Sequence, residues 1–89
     1  MDFKHYDLGT VAGGSVVEVT LSGSAANVRL MDRSNLDGFS AGRGHRYVGG
    51  LAKRSPVRLE VPRSGPWHVT IDMDGLSGTV RSGVRVIRN

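Results

Sequence analysis

Cysteine is absent from the chain, which excludes disulfides, thiolate metal sites and cysteine nucleophiles together. A secreted domain this small would commonly carry disulfide staples, so their lack favours a reducing, cytoplasmic setting. No apolar run approaches the roughly 18 residues of a membrane span. The polar opening Met1-Asp2-Phe3-Lys4-His5 is unlike a signal peptide, and no membrane association is expected. Aromatics are scarce: one Trp, two Tyr and two Phe. With Trp67 assigned to the core, few rings remain as stacking platforms for single-stranded nucleic acid. Acidic residues are missing between Asp37 and Glu60, although Arg43, Arg46, Lys53, Arg54 and Arg58 all fall there.

At 89 residues the chain should form one domain with one core, residues 1–89. A chain of this length buries roughly 60–65% of its unfolded surface, enough for a stable fold but not for a deep, water-free catalytic cleft. The formal net charge is +4, and all cations except Lys4 and Lys53 are arginines, which suit bidentate contacts with phosphate or carboxylate.

Hydrophobic residues recur with period two. Val17, Val19 and Leu21 alternate with Glu18 and Thr20, and Val28 and Leu30 with Arg29. The same holds for Val57, Leu59 and Val61 against Arg58 and Glu60, and for Trp67, Val69, Ile71 and Met73 against His68, Thr70 and Asp72. In the last run Val80, Ser82, Val84 and Val86 face opposite Arg81 and Arg85. Such runs, rich in Val, Ile and Thr, read as strands with one buried face. Phe3 to Leu8 is a weaker sixth. The pattern predicts an all-β domain, a compact β-sandwich or partly open barrel of about six short, mostly antiparallel strands. Short connections predict a hairpin through Ser22–Ala26 and an antiparallel meander of the last three runs. Residues 32–54 read as a long polar, basic loop with at most a turn of helix at Ser34–Asp37 and a short extra strand at Tyr47-Val48.

Catalytic and cofactor motifs are not found. Gly44 to Gly49 has the glycine spacing of a phosphate-binding loop, but Gly50-Leu51 stands where Lys-Ser/Thr is needed. Gly42-Arg43-Gly44 begins a dinucleotide fingerprint that Tyr47 breaks. His5, His45 and His68 lack chelating spacing, and Asp74-Gly75 reads as a turn rather than a calcium loop. No serine stands in a nucleophile elbow, and His68 and Asp72, on one strand face, lie roughly 13 Å apart. The reading therefore carries no catalytic residue, no metal ligand and no cofactor.

Several phrases together resemble a known family. They are His5-Tyr6-Asp7-Leu8-Gly9, Val17-Glu18-Val19-Thr20-Leu21-Ser22-Gly23, Ala25-Ala26-Asn27-Val28-Arg29-Leu30-Met31-Asp32 and Ser34-Asn35. Others are His45-Arg46-Tyr47-x-Gly49-Gly50, Lys53-Arg54-Ser55-Pro56 and Gly78-Thr79-Val80-Arg81-Ser82-x-Val84-Arg85-Val86. Across nearly its whole length the chain is similar to the bacterial family called domain of unknown function 1883. The resemblance implies a compact β-rich domain, found alone or ahead of a Toll/interleukin-1-receptor domain, with an accessory or sensing role. It implies no activity, cofactor or catalytic residue.

The sequence thus points to a non-enzymatic binding module with a basic, glycine-punctuated loop as its anion site. Arg43, Arg46 and Arg54 would supply forked donors, Lys53 a point charge, and His45 and Tyr47 ring contacts, with Arg81 and Arg85 extending the patch. The partner classes are an anionic ligand or nucleic acid. The competing reading is a protein-interaction or homodimer module that pairs through an exposed strand edge, with Val16 and Ile87 facing outward.

Overall fold

The computed structural model describes residues 3–88. Seven strands and one helix follow in the order β1 (Lys4–Val11), β2 (Val16–Gly23), β3 (Ala26–Asp32), α1 (Arg33–Ser40), β4 (Val48–Ala52), β5 (Val57–Glu60), β6 (Gly65–Asp72) and β7 (Val80–Ile87). They form two antiparallel sheets, a four-stranded one ordered β1-β6-β3-β4 and a three-stranded one ordered β5-β2-β7. The expected β-sandwich is therefore present, with the weak Phe3–Leu8 run realised as β1.

Alternation decides which residues enter the core. Val17 and Val19 of β2 meet Val28 and Leu30 of β3 and Val69 and Ile71 of β6 between the layers, with Val11, Leu59, Val61 and Trp67 closing the ends. Tyr6 crosses from β1 to β7, where its hydroxyl bonds the Ser82 carbonyl at 3.0 Å and the Ser82 hydroxyl at 2.8 Å. On the outer face of the smaller sheet, Arg58, Glu18 and Arg85 stand in register on three neighbouring strands. Glu18 accepts from Arg58 Nε at 3.0 Å and from Arg85 Nε at 2.7 Å.

Three expectations are corrected. The Ser22–Ala26 connection is not a hairpin, because β2 and β3 belong to different sheets. The last three runs are not a meander: β5 and β7 flank β2, while β6 lies between β1 and β3. A short connection reaches across the roughly 10 Å between layers as readily as it turns back over the roughly 4.8 Å between paired strands, so loop length does not choose.

Residues 32–54, expected as a loop, contain α1 and β4. Asp32 caps the helix, its Oδ1 accepting from Asn35 N at 3.0 Å. Gly42, at φ 72, ends it in a Schellman arrangement: Gly42 N donates to Phe39 O at 3.1 Å and Arg43 N to Gly38 O at 2.8 Å. Leu36 and Phe39 pack on Met31, whose side chain alternation places on the outer face of the larger sheet. Two caps and this apolar contact override the poor helix propensity of Ser34, Asn35, Asp37 and Gly38.

Candidate functional site

Alternation in β3 sends Arg29 to the same outer face as Met31. There its guanidinium lies between two rings, 5.0 Å from the Phe39 centroid and 5.1 Å from that of Tyr47. Arg29 Nη1 also donates to Asp72 Oδ2 at 2.5 Å. The Asp72 side chain is fully buried, and its Oδ1 accepts from Asn27 Nδ2 at 2.9 Å and Asp74 N at 3.0 Å. This buried pair anchors the segment after α1, since Tyr47 rests on the arginine it holds. His45 packs edge-on against Phe39 at 5.1 Å and lies 5.5 Å from Tyr47. Its Nδ1 donates to the Arg43 carbonyl at 3.0 Å. His45 thus braces the loop from within.

Beside Tyr47 an open cleft of about 290 Å³ lies between the start of α1, the start of β4 and the β5–β6 connection, with Asn35, Arg46, Val48, Arg63 and Trp67 on its walls. Asn35 Oδ1 accepts from Arg46 N at 2.6 Å, which fixes the main chain where Arg46 enters the wall. Arg63 bonds Asp32 and lies 5.1 Å over the Trp67 ring, whose Nε1 donates to the Arg63 carbonyl at 2.8 Å. The Asp32 carboxyl is held below its ordinary value by the Asn35 N–H first, and then by Asn35 and Arg63 side chains. The cleft therefore presents one neutralised arginine, Arg63, and one unneutralised arginine, Arg46.

That distinction runs through the molecule. Arg29, Arg33, Arg58, Arg63 and Arg85 each pair with a carboxylate. Among the described residues no salt bridge reaches Arg43, Arg46, Lys53, Arg54 or Arg81. Arg58 and Arg85 share the single Glu18 carboxylate, and Lys4 and Arg88 also stand outside these bridges, so residues 43–54 hold four of the seven described cations without one.

The residues assigned to the anion site do not form one cluster. Arg46 and Tyr47 share the cleft, and exposed Arg43 stands at the end of α1. Lys53 and Arg54 follow β4 and border a second groove beside Pro56 and Val57. Seven residue steps of extended chain lead from Arg46 to Lys53, roughly 23 Å. Arg81 and Arg85 project from the outer face of the other sheet, and Arg85 is occupied by Glu18, which raises the Arg85 pKa. Both side chains leave the outward side of that sheet, since Gly83 between them pairs with Thr20; Ser55, next to Arg54, accepts from Leu21 N at 2.8 Å, and Leu21 pairs with Ser82 beside Arg81.

Asn35, Arg63 and Trp67 enter the site unforeseen, as do Arg29 and Asp72 beneath it. The Asp32-to-Asn35 capping spacing was the one local signal for the first of these. The fold also joins His5 and His68, with Nε2 and Nδ1 2.8 Å apart and ring centroids 5.0 Å apart. One ring nitrogen donates to the other across rings tilted by 36°, with Asp7 Oδ1 3.9 Å from His68 Nδ1. Burial holds His68 below its ordinary 6.5 despite the opposing pull of Asp7. Among the described residues no group of three His, Cys, Asp or Glu side chains is placed to hold a metal ion.

The fold is a two-sheet, mainly β sandwich. A family model described as domain of unknown function (DUF1883) matches residues 1–89, the whole chain, and the protein belongs to that family. No curated protein and no solved structure matches the chain. Among the described residues no helix is long and apolar enough to cross a membrane.

Proposed function

We propose that the domain is a non-enzymatic binding or sensing module that takes a small anionic ligand in the Arg46–Tyr47 cleft. One observation carries the reading: Arg46 lines a concave wall beside Tyr47 and Arg63 and has no carboxylate partner among the described residues. A guanidinium held free at the rim of a cleft offers paired donors to phosphate or carboxylate. The half-exposed Tyr47 ring, oriented by Arg29, would cover the apolar part of such a ligand. A continuous nucleic-acid groove is less well supported, because the cations are split along β4 and Arg85 is engaged by the Glu18 it shares with Arg58 on the other sheet.

Trp67 supplies the assay. It is the only tryptophan, it is nearly buried, and Arg63 lies on it. Its fluorescence and its indole N–H resonance should respond when mononucleotides, inorganic phosphate or acidic sugars are titrated at low and moderate salt. Arg46→Ala should remove the response and Arg81→Ala should leave it intact. Equal responses in both variants, or a silent panel with a folded spectrum, would overturn the assignment.

A further inference from the structure

The free edge of β4 differs from the other sheet edges. β1 is broken by a register shift between Asp7 and Gly9, and β5 has only four residues, two of them Arg58 and Glu60. β7 carries Arg81 and Arg85. These are the devices by which exposed edges avoid pairing: irregularity, shortness and charge. Val48–Ala52 is itself short and carries Gly49 and Gly50 at φ 115 and 143, but it has neither a charge nor a proline. It pairs with β3 on one side, and among the described residues its backbone makes no bond beyond that ladder. Around Gly50 the space is open, so no side chain there holds another main chain away.

Alongside this edge runs an open groove of about 440 Å³ with Leu51, Ala52, Pro56 and Val57 as apolar walls and Lys53 and Arg54 at one end. Leu51 is 53% exposed. At the other end of the strand stands Arg46. An unprotected edge, an apolar trough and cations at both ends define an occupant. We propose that β4 is a strand-addition site for an extended peptide segment with carboxylates near both ends and small or β-branched residues between.

A second copy of this chain fits the same edge poorly. An antiparallel twin centred on Gly50 would set Val48 against Ala52 and Arg46 against Arg54, opposing unneutralised guanidiniums at each end of the pairing. A partner with acidic ends removes that repulsion. The roughly 23 Å between Arg46 and Lys53 corresponds to a segment of about seven to nine residues. Main-chain bonds would supply affinity, and alternate side chains facing the trough would supply selectivity.

The probe is a capped nine-residue peptide, Glu-Asp-Val-Thr-Val-Thr-Val-Asp-Glu, titrated into the isotope-labelled full chain and followed by amide shifts and hydrogen exchange. Shifts and slowed exchange should concentrate in residues 48–54. The Gln/Asn-ended version should bind about tenfold more weakly, the sum of a few exposed ion pairs. A peptide N-methylated at alternate positions on its pairing edge should lose binding, because it keeps every charge but cannot complete the ladder. The exposed charge-reversal variant Lys53→Glu with Arg54→Glu should lose preference for the acidic peptide. Three outcomes would overturn the proposal: no shift at β4, equal binding of the N-methylated peptide, or concentration-dependent shifts of β4 without peptide, which would seat a second copy there. The cleft reading is tested separately, since Trp67 reports that cleft and the β4 amides report this edge.

Discussion

Replacing Arg29 by alanine should destabilise the domain by about 3–5 kcal/mol, the range for removing one partner of a buried ion pair. The structure sets where in that range the value falls. Asp72 has a fully buried side chain, so water cannot take over the charge Arg29 leaves. Two other donors, Asn27 Nδ2 and Asp74 N, remain on Oδ1 and pull the cost toward the lower end. Loss of the guanidinium from between Phe39 and Tyr47 adds about 0.5–1 kcal/mol for each ring. A domain of this length has roughly 4–13 kcal/mol in all, so the variant should be marginal. Even the lower figure lowers Tm by roughly 12–24 °C. Urea denaturation followed by Trp67 fluorescence measures the change directly. The double variant Arg29→Met with Asp72→Leu should recover a large part of the loss, because neither charge is then stranded. An Arg29→Ala cost below about 1 kcal/mol, or a double variant worse than the sum of its singles, would refute the reasoning.

Two further outcomes follow from geometry and charge. Gly49→Ala should cost about 2–5 kcal/mol, since Gly49 has φ 115 and a Cβ there would run into the Val28 carbonyl. Gly42→Ala, at φ 72 but with open space around it, should cost only about 1–2 kcal/mol, and equal losses in the two variants by denaturation would contradict the clash. Stability should also fall in acid in two stages. His68 is held below 6.5 chiefly by burial, so from about pH 7 downward the unfolded chain binds a proton that the folded chain resists. Glu18 is held below 4.5, first by its bond from Arg85, and Asp32 below 3.8, first by the Asn35 N–H. Their stabilisation is present above those ordinary values and disappears as pH falls through the lowered ones. Thermal melts should show both stages, with His68→Gln flattening the upper one; a melting temperature unchanged between pH 7 and 5 would contradict the assignment to His68.

Period-two alternation made the faces of the strands readable. Val17, Val19, Val28, Leu30, Val69 and Ile71 are all in the core, and Arg85 faces outward as its alternation with Val84 and Val86 required. Which strand pairs with which was not readable, because alternation names a face and not a neighbour. Glu18 shows the consequence: its partners Arg58 and Arg85 lie 40 and 67 residues away, joined only because both strands flank β2. The site divides in the same way. The unneutralised cations were visible as a stretch without acids. Their division between the two ends of β4 depended on that strand's pairing with β3, and the wall formed by Arg63 and Trp67 depended on β6 returning beside β3.

The crossing connections also bear on how the molecule assembles in time. Consecutive strands are assigned to opposite layers except where α1 joins β3 to β4, so almost no partnership can close as a local hairpin. The strand beginning at Lys4 waits for one that contains His68, 63 residues from His5, and β2 waits for β7, the last of the seven strands in chain order. Closing such loops before their contacts form is entropically costly, and chains dominated by distant pairings fold in milliseconds to seconds rather than microseconds. A nascent chain stalled before Val80 would hold β2 with one flank bare, exposed to whatever chaperone or neighbouring strand reached it first.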